Sequence, residues 1–343
     1  PRRSEFTVGD LDLDDEDLIE REEMVVTFTH GGYVKRTPLT TYRSQHRGGK
    51  GRSGMAMKDE DFVTRLFAAS THAEVLFFSS TGMVYKHKVW RLPLGSPQSK
   101  GKALVNILPL DKGEWITSVM LLPEDEAERE RLDVMFATRK GGIRRNKLMD
   151  FVQVNRNGKI AMKPDEDDGI VDVQLCNPND DVLLTTARAQ CIRFRVDDVR
   201  VFTGRTSTGV RGIRLADGDK VISLAVLRHV DVTPAEARAY LKHAAAMRRA
   251  VEDTDEDVEA VSADTDDEAG EEIALNEERL VELGAAEEFI LTITDKGMGK
   301  RASAYDYRVT GRGGKGLIAH RIPDEANLAA SFPVDESDDV MMV

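Results

Sequence analysis

The chain has 343 residues, two cysteines and a formal net charge of −13. This length exceeds what one hydrophobic core usually organises, so we expect several modules or a repeat array. Two cysteines exclude a disulfide framework and a four-ligand zinc site built from cysteine, and no apolar run approaches the roughly 20 residues that span a bilayer. We therefore expect a cytoplasmic protein with no membrane partner. Because the chain starts without methionine and ends on VMMV, we also expect it to be a piece of a longer one.

The negative charge is concentrated in two segments. Residues 1–23 hold 3 basic and 10 acidic residues, and residues 229–288 hold 5 basic and 19 acidic residues. These segments carry −7 and −14, so the other 260 residues carry +8, most of it within residues 24–123. The sequence predicts a basic body with two acidic appendages, of which residues 1–23 form a solvated linker.

Downstream of this linker, one pattern of eighteen residues occurs five times. Each copy starts with β-branched and apolar residues, turns near a glycine or alanine, and has a basic residue at its twelfth position. The copies begin at Val25, Val75, Val134, Val182 and Ile290, their turns lie at Gly32, Gly82, Gly141, Ala189 and Gly297, and their twelfth residues are Arg36, Lys86, Arg145, Arg193 and Arg301. Each copy predicts a β-hairpin.

A glycine-rich basic segment and a further apolar stretch follow each hairpin, as in QSKGKALVNIL and GRGGKGLIAH. Two hairpins in a period of about 50 residues predict an all-β, propeller-like fold of four-stranded blades. We place the blades at 24–73, 74–128, 133–180, 181–228 and 288–339, with a sixth beginning at 340–343. The alternative, unrelated hairpins in a β-sandwich, would not require a basic residue at the same position of every copy.

Residues 229–287 interrupt the repeats and predict a helical, acidic insertion. Thr233 and Glu236 form a capping box ahead of an alanine-rich helix that has proline at its first position. Residues 252–272 lack apolar periodicity and predict disorder, and a second short helix is expected to begin after Asn276 and end at Gly284. One hypothesis is that this insertion competes with a polyanion for the basic body; the other is that it is a spacer.

Basic residues at equivalent positions of successive blades would face the same way and form a rim. Cations at regular intervals match a bent polyanion, so we predict contacts to the backbone of duplex DNA, without readout of its bases. The predicted rim residues are Lys35, Arg36, Arg52, Lys86, Lys88, Lys100, Lys102, Arg144, Arg145, Lys147, Arg156, Lys159, Arg193, Arg195, Arg205, Arg211, Lys300, Arg301, Arg312 and Lys315.

Enzymatic sites have little support in the sequence. GRGGKG at 311–316 and GMGKRA at 297–302 fit the dinucleotide-binding fingerprint, but the residues after them predict strand and turn instead of the required helix. No phosphate-binding P-loop sequence occurs, the seven histidines lack metal-ligand spacing, and Cys191 lies at a predicted core position of a strand. We predict no catalytic residue and no metal site in this chain.

Residues 45–51 read QHRGGKG, which resembles the QRRGGKG box of the C-terminal domain of the DNA gyrase A subunit; the similarity extends through SSTGMVYKHKVWRLP and the later repeats. Six of the seven positions match, and His46 replaces an arginine. By this resemblance the box residues Gln45, His46, Arg47, Gly48, Gly49, Lys50 and Gly51 bind DNA. Arg47 and Lys50 would clamp phosphates, and the glycines would let the loop lie flat against the duplex.

The resemblance implies a six-bladed β-pinwheel, in which neighbouring blades exchange strands, and right-handed wrapping of DNA that enables negative supercoiling. It also implies as partners duplex DNA, the rest of the gyrase A subunit (a homodimer), and the gyrase B subunit. No cofactor is expected here, since ATP and Mg²⁺ are used by other parts of the holoenzyme, and the catalytic tyrosine of the family has no counterpart. The alternatives are the corresponding domain of topoisomerase IV, which the RGGKG sequence disfavours, and a protein-binding propeller.

Overall fold

A computed structural model describes residues 18–42, 61–252, 273–323, 325–335 and 338, with no side-chain description for 250–252. These residues form nineteen strands, three α-helices and several short 3-10 turns, which confirms the all-β prediction for the body of the chain. Within them, no helix is both long and apolar enough to cross a membrane. The predicted start of a sixth blade, residues 340–343, lies outside the described residues, so the blade count stays a prediction.

The strands follow the five repeats in chain order. They are β1 (Glu23–Thr29), β2 (Tyr33–Pro38), β3 (Val63–Ser70), β4 (Glu74–Ser79), β5 (Met83–Lys88), β6 (Lys102–Ala103), β7 (Ile116–Leu121), β8 (Asp133–Thr138), β9 (Gly142–Lys147), β10 (Lys159–Ile160), β11 (Ile170–Cys176), β12 (Asp181–Thr186), β13 (Gln190–Arg195), β14 (Val210–Arg211), β15 (Val221–Leu227), β16 (Phe289–Thr294), β17 (Gly299–Ser303), β18 (Leu317–Ile318) and β19 (Leu328–Val334). The helices are α1 (Glu126–Arg131), α2 (Pro234–Glu252) and α3 (Glu277–Ala286).

Each predicted hairpin is present as an antiparallel pair. In the third repeat, β8 pairs with β9 through Met135 opposite Arg145, and the first, fourth and fifth repeats have the equivalent register. The predicted turn residues all have positive φ, from 59° at Ala189 to 92° at Gly82. Glycine reaches this conformation without steric strain, which is why four of the five turns use it.

The remaining strands correct the prediction of two hairpins per blade. A third strand pairs with the first strand of its own repeat, as β3 does with β1, but the glycine-rich segment pairs with the preceding repeat. Its two-residue strands are β6 beside β2, β10 beside β5, β14 beside β9 and β18 beside β13. Four sheets therefore contain a strand from the next repeat, and the fifth has three strands among the described residues.

The chain forms two compact units. The first comprises residues 1–76, 85–115 and 119–124, and the second comprises residues 77–84, 116–118 and 125–343. In the second unit, β8 and β12 are buried along their whole length. Phe78, Phe136 and Phe151 pack edge to face at 5.6–5.8 Å between ring centroids, and Met135, Ile192 and Phe194 belong to one apolar cluster. Apolar burial between successive sheets thus stabilises the repeat array.

A glycine with positive φ precedes every exchanged strand, at Gly101, Gly158, Gly209 and Gly316. At Gly316, φ is +76° and an added Cβ would lie 2.1 Å from the carbonyl oxygen of Cys191 on β13. The last glycine of the RGGKG sequence in the fifth repeat is therefore required by strand exchange. Gly51, the last glycine of the same sequence in the first repeat, lies outside the described residues.

Replacing Gly316 by alanine is expected to destabilise the protein far more than the same change at Gly297. Both residues have a φ near +79°, but an added Cβ at Gly297 meets nothing within 4 Å. Left-handed φ alone should lower the free energy of unfolding by about 1–2 kcal/mol in Gly297→Ala, and displacement of β13 should add about 1–3 kcal/mol in Gly316→Ala. Urea unfolding of both variants measures the difference; equal losses would contradict a close-approach role for Gly316.

The insertion forms a helical hairpin on the fifth repeat. The amide of Glu236 donates to Thr233 Oγ1 at 3.2 Å and the amide of Thr233 donates to Glu236 Oε2 at 2.9 Å, as the predicted capping box requires. Asn276 caps α3 as predicted, but the helix continues past Gly284 to Ala286, because the preceding Leu283 is fully buried against Tyr240 and Tyr305. Residues 253–272, most of the segment predicted to be disordered, lie outside the described residues.

Candidate nucleic-acid interface

The predicted rim residues differ widely in exposure. The box residues 45–51 and Arg52 lie outside the described residues. Six rim residues are exposed: Lys102, Arg156, Arg211, Arg301, Arg312 and Lys315. Nine are half-buried: Arg36, Lys86, Lys88, Lys100, Lys147, Lys159, Arg195, Arg205 and Lys300. Lys35, Arg144, Arg145 and Arg193 are buried, and at these four positions the rim prediction needs correction.

The twelfth residue of each repeat pairs with the residue just before the repeat begins. Arg145 Nε donates to Asp133 Oδ2 at 2.7 Å, and Arg193 Nε donates to Asp181 Oδ2 at 2.9 Å. The partners share a sheet face because Asp133 is two residues from Met135, which lies opposite Arg145. The equivalent contacts are Lys86 with Glu74 at 2.9 Å, Arg301 with the Phe289 ring at 4.6 Å and Arg36 with the Met24 sulfur at 3.8 Å.

The same arginines also bind the following repeat. Arg36 Nε donates to the carbonyl of Leu92 at 2.9 Å, and Arg193 Nη1 donates to the carbonyl of Ala304 at 2.7 Å. Arg145 Nη1 donates to the carbonyls of Val196 and Val199, both at 3.2 Å. Recurrence of the twelfth basic residue therefore reflects a clamp between successive repeats, and Arg145 and Arg193 are structural rather than DNA-facing.

Lys35 and Arg144, at the eleventh position, organise the loop that crosses their sheet. Lys35 Nζ binds the carbonyls of Ser96, Pro97 and Ser99, the first and last at 3.1 and 3.0 Å. Arg144 Nη1 binds the carbonyl of Ser207. Burial lowers the pKa of both side chains, which keep their internal acceptors. Neither side chain is exposed to a ligand at the surface, and this corrects the prediction of direct DNA contacts for both.

Five of the six exposed rim residues lie in or shortly before the exchanged strands. Lys102 lies in β6, Arg211 in β14 and Arg156 three residues before β10, while Arg312 and Lys315 precede β18. In the fifth-repeat loop, Arg312 Nε donates to the carbonyl of Asp198 at 2.8 Å. Strand exchange therefore brings at least one exposed cation to each of four consecutive sheets.

Sequence reasoning missed Arg200, which is exposed and lies with its Cζ 4.2 Å from the centroid of the Phe202 ring. Arg144 contacts the same ring, with its Cζ 4.9 Å from the centroid. Arg200 falls outside both the hairpin pattern and the glycine-rich segment, so the repeat pattern could not identify it. Its position beside an aromatic residue in RVFTGR was the available signal.

The described part of the chain shows neither a metal-binding cluster nor a reactive cysteine. No group of three or more histidine, cysteine or acidic side chains there could hold a metal ion. Cys176 and Cys191 are buried and unlinked, and burial raises the pKa of each thiol to about 12. A thiol with so high a pKa is a poor nucleophile, which confirms the prediction that Cys191 is a core residue.

The sequence pattern occurs five times, and the antiparallel sheets built from its copies exchange strands, which defines a repeat protein of the propeller class. The chain belongs to the DNA gyrase C-terminal domain, beta-propeller family, which matches residues 23–70, 73–123, 132–177, 180–228 and 288–335. The matched residues exclude the helical insertion.

Curated relatives are named as the A subunit of DNA gyrase. The chain is 51% identical over 349 residues to that of Granulibacter bethesdensis and 47% identical over 345 residues to that of Rickettsia bellii. Each alignment covers 100% of this chain and 37% of the relative, so the chain spans just over a third of their length.

Solved structures support the fold alone. The C-terminal domain of DNA topoisomerase IV has a TM-score of 0.64 at 20% identity, covering 93% of this chain and 80% of the other. The E. coli ParC C-terminal domain has a TM-score of 0.54 at 15% identity, covering 91% and 99%. At such identities the likeness is one of architecture, and it does not choose between two functions.

Proposed function

We propose that this chain is the DNA-wrapping domain of a DNA gyrase A subunit. It binds duplex DNA through the phosphate backbone, bends it and wraps it with a right-handed sense, so that the holoenzyme introduces negative supercoils at the expense of ATP. Binding is independent of base sequence, because the exposed rim residues are cations and the described part of the repeats contains no recognition helix. Any sequence preference follows from the bendability of the DNA.

The observation that carries this proposal is the recurrence of exposed cations beside exchanged strands in the second to fifth repeats. Successive repeats present these charges in or shortly before the exchanged strand, and charges that recur along the array favour a long polyanion over a small ligand. Arg145 and Arg193 are buried and join successive repeats. The exposed cations beside the exchanged strands, and not these two arginines, are therefore the residues that contact DNA in this proposal.

The rest of the assembly is part of the same proposal. The partners are the remainder of the gyrase A subunit, which forms a homodimer, and the gyrase B subunit, in the cytoplasm. ATP and Mg²⁺ act in those other parts, and DNA cleavage depends on a tyrosine outside this chain. The box at 45–51 distinguishes gyrase-type wrapping from the looser binding expected of a topoisomerase IV domain. The full array is expected to contain six blades.

A change in linking number tests the proposal directly. The chain is mixed with relaxed closed-circular DNA, a type I topoisomerase that relaxes both signs is added, the protein is removed, and the topoisomers are separated. We expect a positive linking-number change, which right-handed wrapping produces. Binding without any change would favour the function of a topoisomerase IV domain, and absence of binding at low salt would contradict a DNA-binding function.

A further inference from the structure

Four cationic side chains lie near one another where the fourth repeat crosses β9 of the third, and two of them interact with the same carboxylate. They are Arg144, Lys159, Arg200 and Arg205, which we call the cation cluster, and the carboxylate is that of Asp150. Arg144 and Arg200 share the Phe202 ring, with Cζ atoms 4.9 and 4.2 Å from its centroid. Lys159 Nζ donates to the backbone carbonyl of Asp150 at 2.6 Å. Together the four cations and Asp150 carry a formal charge of +3.

The charges of the cluster affect one another. Burial is the main cause that lowers the pKa of Arg144; Asp150 opposes it, and the positive charges of Arg200 and Arg205 add to it. Burial and then the charge of Arg205 lower the pKa of Lys159. Like charges held this close repel each other, so the folded protein gains free energy when an anion joins them.

Two guanidinium groups of the cluster also retain unused donors. Arg144 is fully buried, and its Nη2 has no acceptor among the described residues; the buried Nε of Arg205 has none either. Elsewhere the buried guanidinium groups of Arg145 and Arg193 bind carboxylates at 2.7–2.9 Å. Buried donors are nearly always satisfied, so the unused ones in the cluster indicate a missing acceptor.

The cluster can be reached from solvent on one side. Arg200 is exposed, and Lys159 and Arg205 are half-buried, whereas Arg144 lies behind them in the interior. Arg144 is held by Asn146, whose Oδ1 accepts from its Nε at 2.8 Å, and by Ser207. Three cations of the cluster are therefore at least partly exposed, and the fourth is fixed in the interior.

We propose that Lys159, Arg200 and Arg205 bind one phosphate group of the DNA backbone, with Arg144 as the positioning residue behind them. The inference rests on the proposed function and deepens it, because it selects a single preformed phosphate site from a broad set of surface cations. A phosphodiester offers two charged oxygens to several donors, and guanidinium groups bind such oxyanions well. The site would fix the register of the duplex at the junction of the third and fourth repeats.

The site itself is tested without DNA, by thermal unfolding of the whole chain in inorganic phosphate and in chloride of equal ionic strength. Wild-type protein should gain about 2 °C more in phosphate than Arg205→Gln at a concentration tenfold above the dissociation constant. Arg200→Gln changes an exposed residue, folds normally and should show the same deficit. Arg308→Gln changes an exposed arginine of the fifth repeat that belongs to neither the cluster nor the predicted rim, and it should respond as wild type. Equal gains in all four proteins would overturn the proposal.

The source of the phosphate is tested with duplex DNA. The logarithm of affinity falls with the logarithm of salt by about 0.9 per phosphate contact, so Arg205→Gln should reduce this slope by about 1. The proposal would be overturned if Arg205→Gln lowered the gain in stability from phosphate but left the salt dependence of DNA affinity unchanged. In that case free phosphate, and not DNA, occupies the site. If wild-type protein failed to bind DNA, the proposed function would be wrong, while the thermal experiment would still report on the anion site.

Discussion

Replacing Arg145 by methionine is expected to lower the free energy of unfolding by about 3 kcal/mol, the lower end of the usual loss when one partner of a buried ion pair is removed. Asp133 is 0% exposed and Arg145 is 5% exposed, so the carboxylate would stay buried without its guanidinium partner and would keep Lys147, whose Nζ lies 2.9 Å from its Oδ1. The variant also loses the hydrogen bonds to the carbonyls of Val196 and Val199, which join the third repeat to the fourth. Urea denaturation followed by far-ultraviolet circular dichroism measures the loss.

Arg301→Met is the matched control, because Arg301 holds the same position of the fifth repeat but is exposed and packs on the face of the Phe289 ring. Its loss should be below about 1 kcal/mol. In the double variant Asp133→Asn with Arg145→Met, the buried charge is removed together with its partner, and most of the lost stability should return. A loss in Arg145→Met no larger than that in Arg301→Met would show that the clamp contributes little to folding.

Changing Arg47 and Lys50 to alanine together is expected to abolish the positive linking-number change while leaving DNA binding in place. By the resemblance, Arg47 and Lys50 are expected to clamp two DNA phosphates. The variant would therefore lose two of many phosphate contacts, and the slope of the logarithm of affinity against the logarithm of salt should fall by about 2. Wrapping requires DNA to be held along a continuous path, and a break in that path removes the topological effect more completely than it weakens binding. Topoisomer analysis and fluorescence anisotropy over a salt series give the two readouts.

The fifth repeat supplies a control with the same sequence. Residues 312–316 repeat RGGKG of 47–51, and the Arg312→Ala, Lys315→Ala double variant removes the same charges from the same local sequence. Because Lys315 and Arg312 are exposed, we expect a similar fall in the salt dependence of DNA affinity. The positive linking-number change, in contrast, should be retained. If both double variants lose wrapping equally, the first-repeat box has no special role.

Local features of the fold were predictable from the sequence because they depend on residues close together in the chain. Runs of β-branched and apolar residues predicted the hairpins, glycine or alanine residues at fixed offsets predicted their turns, and Thr233 with Glu236 predicted the start of α2. Even among local features, the end of α3 was predicted two residues early, because packing of Leu283 against Tyr240 and Tyr305 outweighs the weak tendency of Gly284 to stop a helix.

The sequence by itself determined the repeat, its period and the excess of basic residues in the body of the chain. Only the tertiary structure decided which cations are exposed. Arg36 and Arg145 hold the same position of their repeats, yet Arg36 is half-buried and Arg145 is buried. Arg36 contacts the sulfur of Met24, whereas Arg145 is paired with the carboxylate of Asp133, and the burial of each side chain also depends on how the next repeat covers it. Likewise, the pairing of β14 with β9 and of β18 with β13 joins segments 60 or more residues apart. Such contacts arise from long-range pairing and burial, which a local pattern does not encode.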